Sequence, residues 1–339
     1  PASSGGAATI TEDNTYNGWT AESNWGFSDV DDGDAMTVVK LITLPGNGAL
    51  TDTGDACATA NAACEANDLI TLANLAELVY TPLLNSNAAD TFTFQVYDGA
   101  DLSSTATFTF TITAANDVPT WSGSASDVSG NEDTAISITG STIADVDDTS
   151  LASMIISSTQ SGTFSLAGIS GLTFAGGGGD GTADNSMTFS GTIANINTAI
   201  ATITWTSATD DNTNAVLSLI ANDGDGDSAT DEVAITVNAV NDAPIVAAAQ
   251  SNQAVAEDAA LDYTFGTGVF TDPEGTACTY TSTLTSGATL PSWLTFTANS
   301  RNYGGTPLNA NVGTISVRTT CSDGSLSVND DFDIVISNT

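Results

Sequence analysis

Four short landmarks recur in one order three times along the 339 residues, and a chain that repeats itself in this way folds as a series of like units. The first is a Glu-Asp pair, at Glu12-Asp13, Glu132-Asp133 and Glu257-Asp258. An acidic turn follows each pair: SDVDDGD from Ser28, ADVDDTS from Ala144 and TDPEGT from Thr271. Near the end of each unit comes Asp-Gly, at Asp98-Gly99, Asp223-Gly224 and Asp323-Gly324, leading into the alternating runs TATFTFTIT, DEVAITVNA and DDFDIVIS. Two units are closed by nearly the same string, TITAANDVP ending at Pro119 and TVNAVNDAP ending at Pro244. The predicted domains are therefore 1–116, 117–241 and 242–339.

Inside each unit the hydrophobic pattern has period two and is rich in Thr, Val, Ile and Phe, as in Asp90 to Val96 and Gly313 to Val317. Gly, Asn and Asp punctuate it, which predicts several short antiparallel strands per unit and an all-β sandwich. Two stretches break the alternation. Leu69 to Glu77 and Thr192 to Ala201 carry apolar residues at helical spacing, so a short helix is expected in each of the first two domains. The glycine run Gly176 to Gly179 reads as a mobile loop, since no lysine or helix start follows to make a phosphate cradle.

Composition narrows the function. Acidic residues number 41 against three basic ones, Lys40, Arg301 and Arg318, and histidine is absent, for a formal charge of −38. Nucleic acid and anionic lipid are held by Lys and Arg, so neither is an expected partner. Without histidine no Ser/His/Asp or Cys/His set can be assembled, and no enzymatic activity is expected. No apolar run approaches the roughly 18 residues a spanning helix needs, so no direct membrane insertion is expected. Asp outnumbers Glu by 33 to 8. Short aspartates in tight turns favour calcium, with salt adaptation as a background explanation for the acidity.

The NDxP linkers, the early Glu-Asp and the acidic turns resemble the cadherin-like repeats of large bacterial surface adhesins over essentially the whole chain. The last unit, with FTDPEG, LPSWLTF from Leu290, GGTP from Gly304 and CSDG from Cys321, resembles the dystroglycan-type cadherin-like domain more specifically. The resemblance implies tandem immunoglobulin/cadherin-like sandwiches joined end to end, calcium at the junctions, and adhesive or scaffolding work at a prokaryotic cell surface. The DRE motif of animal cadherins is missing.

Strand order supplies a second argument. In such a sandwich the Glu-Asp turn falls at the bottom, beside the exit of the last strand, while the acidic turn and the Asp-Gly turn fall at the top. Bottom acids of one domain should then meet top acids of the next. One predicted cluster is Glu12, Asp13, Asn116, Asp117, Asp145, Asp147 and Asp223. The other is Glu132, Asp133, Asn241, Asp242, Asp272, Glu274 and Asp323. Either could supply the six to eight oxygens calcium prefers. The acids Asp29, Asp31 and Asp98 at the top of the first unit, and Glu257 and Asp258 at the bottom of the last, form two unmatched halves. They suggest head-to-tail contact with flanking repeats or with copies of the same chain.

The cysteines divide evenly, Cys57 with Cys64 and Cys278 with Cys321, which favours two local disulfides over buried reduced pairs. Trp19, Trp25, Trp121, Trp205 and Trp293 are expected to pack in cores or linkers, although an aromatic sugar platform is the alternative. The leading reading is an extracellular structural protein of a surface adhesin stalk or filament. The alternative is a module binding glycans or other cells through loops at one end of a domain.

Overall fold

The computed structural model describes the chain except residues 32, 58–61 and 178; the glycine-loop reading at Gly178 therefore falls outside the described residues. The protein is almost entirely β. Its sheets come as three sets along the sequence. The first pairs a five-stranded sheet with a two-stranded one, the second a six-stranded with a three-stranded, and the third a four-stranded with a three-stranded. Each central strand buries alternate side chains. Asp90–Tyr97 and Ala106–Thr113 bury Phe92, Phe94, Phe108 and Phe110 against Trp19, Trp25 and Tyr80 in the first core. Leu261, Tyr303, Val317, Phe332, Ile334 and Ile336 do the same in the last.

One pairing repeats three times and positions everything that follows. In each set the strand that leads into Glu-Asp, here called the first strand, runs parallel to the last strand: Gly6–Thr11 beside Ala106–Thr113, Val128–Asn131 beside Asp231–Asn238, and Gln253–Ala256 beside Ser327–Ser337. The residue after the first strand is always the Glu of Glu-Asp. Its amide continues the ladder, from Glu12 to the Thr113 carbonyl at 2.9 Å, Glu132 to Asn238 at 3.1 Å and Glu257 to Ser337 at 2.9 Å. The following Asp turns left-handed each time, with φ of 63°, 56° and 60° at Asp13, Asp133 and Asp258. Asp tolerates that conformation better than most residues because its short polar side chain can bond locally.

The helical readings are partly corrected. Ile193–Ile200 is an α-helix, capped where Thr192 Oγ1 accepts from the Asn195 amide, and it buries Ile196, Ala199 and Ile200. Of the predicted stretch Leu69 to Glu77, Leu72–Glu77 is helical, as a 3₁₀ segment. Leu69–Thr71 is instead a strand against Val38–Lys40. The reason is local: Leu69 and Thr71 are exposed while Ile70 is buried, so these three residues follow period two.

Both disulfides are present, Cys57–Cys64 and Cys278–Cys321, each with Cα atoms 5.3 Å apart. Trp19, Trp25 and Trp205 are fully buried, Trp121 and Trp293 partly. Trp121 donates its indole N–H to the Ala229 carbonyl at 2.7 Å. The tryptophans therefore pack; none stands with a second as an exposed sugar platform among the described residues. No helix of the described residues is long and apolar enough to cross a membrane.

The two disulfides close loops of different size, with separations of 43 and 7 residues. On the chain-entropy account, Cys278→Ser with Cys321→Ser should cost the last domain about 4 kcal/mol, and the Cys57 and Cys64 pair of substitutions about 2 kcal/mol from the first. Denaturant unfolding of the two double variants checks both size and order.

Candidate metal centre

The chain forms two compact units, and each predicted acidic cluster lies wholly within one of them. The first unit comprises Pro1–Thr120, Ala144–Leu151 and Asn222–Ser228; the second comprises Trp121–Ile143, Ala152–Ala221 and Ala229–Thr339.

The parallel strand pair fixes the floor of each cluster. The Glu that follows the first strand reaches across to the amide leaving the last strand. Glu12 Oε1 accepts from Ala115 N at 2.9 Å, Glu132 Oε1 from Val240 N at 2.7 Å and Glu257 Oε1 from Thr339 N at 3.2 Å. All three glutamates are buried, at 2 %, 1 % and 6 % exposure. A buried carboxylate needs compensation for its lost hydration, and one amide supplies only part of it. The other oxygens of Glu132 and Glu257 are buried with no hydrogen-bond partner among the described residues.

The linkers add matching contacts. Asn116 Nδ2 donates to Asp223 Oδ2 and Asn241 Nδ2 to Asp323 Oδ2, both at 2.8 Å. The next amide binds the acidic turn, Asp117 N to Asp147 Oδ2 at 2.8 Å and Asp242 N to Glu274 Oε2 at 3.1 Å. Within those turns Asp145 Oδ1 accepts from Asp147 N and Asp148 N, and Asp272 Oδ1 accepts from Thr276 N. Their Oδ2 atoms are buried without a partner among the described residues, as are Asp117 Oδ2 and Asp242 Oδ2. Five unsatisfied carboxylate oxygens thus fall in the two clusters, on Asp117, Asp145, Glu132, Asp242 and Asp272. Ligand oxygens of Glu132, Asp242 and Glu274 lie within 4.8 Å of one another.

A further acid that sequence reading passed over enters the second cluster. Asp210 lies just past the strand Thr202–Ser207, and its ligand oxygen is within 4.8 Å of those of Asp133 and Asp242. The signal was present in the acidic pair Asp210-Asp211, but its partners lie 77 residues upstream and 32 downstream, so only the fold shows it.

The outermost acids make local contacts of their own. Asp29 Oδ1 accepts from Asp31 N, and Asp98 Oδ1 from Ala100 N and Asp101 N. Asp29, Asp31 and Asp34 present oxygens within 4.8 Å of one another. Asp258 carries a backbone bond to the Pro307 carbonyl beside Glu257.

Electrostatics sorts the cluster acids into two kinds. Burial raises the Asp117 carboxyl above its ordinary value, and the charges of Asp13, Asp147, Glu12 and Asp145 raise it further. Burial likewise raises Asp242, reinforced by Asp210, Asp133 and Glu132. The Asn116 amide, with the amides of Asp225 and Gly226, lowers Asp223. Asp323 is lowered by the amides of Leu326 and Ser325 and by Asn241. The arrangement is a set of hard oxygens with excess negative charge and unfilled acceptors, which suits a divalent cation held by oxygen. Cys57, Cys64 and Asp68 also come together, but both sulfurs are committed to the disulfide.

Two segments match known domain families: residues 243–337 match the He_PIG model of Ig domains, and residues 1–111 match Big_9, a bacterial Ig domain. Ig-like domains thus stand at both ends of the chain. No curated protein matches it. Among solved structures it is similar to protocadherin γB7 EC3-6, at 13 % identity over 99 % of this chain and 74 % of that one, with a TM-score of 0.41. Human desmocollin-1 ectodomain aligns at 12 % identity over 100 % and 62 %, with a TM-score of 0.37. An endo-fucoidan hydrolase of glycoside hydrolase family 107 aligns at 18 % identity over 91 % of this chain, with a TM-score of 0.25. The chain spans only 40 % of that enzyme's length.

The pKa directions predict an unusual acid response in metal-free protein. Asp117 and Asp242, raised in the fold, add stability as pH falls through their folded values, fully so below the unfolded value near 3.8. Asp223 and Asp323, lowered in the fold, lose their contribution only as pH falls below that value. Melting temperature in chelator-treated samples should therefore rise as pH is lowered from 7 toward about 4 and then fall. A monotonic decline over the first interval would contradict the cluster electrostatics.

Proposed function

We propose that this is an extracellular structural protein of a prokaryotic cell surface, whose Ig-like repeats are stiffened by calcium at the two linkers, as part of an adhesin stalk or filament. The observation that carries the reading is the linker aspartate. Asp117 and Asp242 each place a buried, unpartnered Oδ2 among four or more other acids, where protein donors leave negative charge uncompensated. Calcium fits that vacancy of charge by its preference for six to eight oxygens and its tolerance of irregular geometry. Zinc and copper would want histidine or thiolate, and the sequence has no histidine while its cysteines are bonded to one another.

The ion would join the Glu-Asp floor, the linker and the acidic turn, three segments distant in sequence. Without it like charges repel, and the linker between them loses its brace. The role is mechanical rather than catalytic. The unmatched sets Asp29, Asp31, Asp98 and Glu257, Asp258 support partnership with flanking repeats or copies of the chain, head to tail, because each reproduces one half of a linker cluster.

Saturating calcium at about 100 times its dissociation constant should stabilise the protein by about 2.7 kcal/mol per site. Melting curves and small-angle scattering with calcium and with chelator test this. Asp242→Ala should weaken calcium binding at its linker and broaden the distance distribution while leaving the sandwiches folded by circular dichroism. An unchanged melting temperature and an unchanged maximum dimension on chelation would overturn the reading.

A further inference from the structure

Around the Glu-Asp turn the two linker clusters match each other bond for bond, and there they differ at one position that bears directly on charge. After the strand Leu78–Pro82 the first unit has Asn85; after Thr202–Ser207 the second has Asp210. Both residues are left-handed with φ of 55°. Both amides donate to the aspartate of the Glu-Asp turn at 3.2 Å, Asn85 N to Asp13 Oδ1 and Asp210 N to Asp133 Oδ1. The backbone therefore presents the two side chains alike, and only the replacement of an amide by a carboxylate separates them.

We propose that, on the calcium reading above, the two linkers bind the ion with unequal affinity, the Asp242 linker more tightly, and that Asp210 is the ligand that sets the difference. Three observations converge. Asp210, Asp133 and Asp242 already hold ligand oxygens within 4.8 Å, as do Glu132, Asp242 and Glu274, so Asp242 belongs to two ligand groups at once. Glu132, a member of the second of these, is 1 % exposed and has a buried Oε2 with no partner among the described residues. The corresponding first-unit set, Asp13, Asn85 and Asp117, has one charge fewer. Calcium affinity is tuned by the number of charged ligands and by how far the site is already arranged, and both favour the Asp242 linker. One fewer carboxylate at an otherwise equivalent site corresponds to a loss of affinity on the order of tenfold.

At intermediate calcium the chain would be braced at one linker and loose at the other. Asn85 would act as a built-in hinge whose stiffness follows ambient calcium over a higher range than that of its counterpart.

The test is a calcium titration of the whole ¹⁵N-labelled chain, reading the amides of Asn116 and Asp117 for one linker and of Asn241 and Asp242 for the other. The expected result is a midpoint about tenfold lower in calcium at Asn241 and Asp242. Asp210→Asn should bring the two midpoints together by raising the lower one. Asn85→Asp should do so by lowering the higher one; both residues accept the left-handed backbone, so folding is preserved. Coincident midpoints in the unmodified chain, a reversed order, or an Asp242 midpoint indifferent to Asp210→Asn would overturn the inference while leaving calcium at the linkers intact. If no linker amide responds to calcium, both this inference and the calcium reading fall.

Discussion

The parallel contact between the first and last strands of each repeat is the constraint on which the linkers depend. Most neighbours in these sheets are antiparallel and would bring a strand's end beside its partner's beginning. A parallel pair brings end beside end, so the turn after the first strand meets the chain as it leaves the domain. A glutamate placed at that turn can bond the departing amide, and it does so in all three repeats. That bond fixes where the linker starts and buries a carboxylate there in the same step. The sandwich therefore closes over a buried glutamate whose Oε1 an amide satisfies, while the other oxygen of Glu132 and of Glu257 has no partner among the described residues.

Much of this was legible from spacing. The period-two runs and the threefold landmark order specify sandwiches and bring Glu-Asp, linker and acidic turn together, because strand order alone says which turns share an end. What spacing did not reveal has specific causes. Leu69–Thr71 looked helical because its apolar residues fit a helical window shared with Leu72–Glu77, whereas the burial alternation over three residues is too short a signal to separate from its neighbour. Asp210 was missed because an acid after a strand is ordinarily a solvated turn residue. Its role depends on a left-handed backbone and on a contact with Asp133 that no local pattern encodes.

Acid count and acid role also separate. In Asp223 and Asp323 protein donors reach both oxygens: turn amides on Oδ1 and a linker asparagine on Oδ2. Those bonds hold their carboxyls below the ordinary range and make them anchors for the linker. Asp117 and Asp242 receive no comparable donors at Oδ2 and are pushed the other way. The cluster thus divides its carboxylates into a satisfied pair that fixes geometry and an unsatisfied group that carries the demand for positive charge.

The same division bears on the charge of −38. Divalent ions at two linkers would offset only the carboxylates that converge there, and surface acids separated by more than the Debye length of about 8 Å are largely screened from one another at physiological salt. The rest of the acidity therefore exerts little force on the linkers, whatever its value for solubility. With Asp210 added, the second predicted cluster holds seven carboxylates, Glu132, Asp133, Asp210, Asp242, Asp272, Glu274 and Asp323, against six in the first, Glu12, Asp13, Asp117, Asp145, Asp147 and Asp223, whose acidic turn also carries Asp148. Local crowding rather than total charge decides how strongly the acids at each linker repel one another.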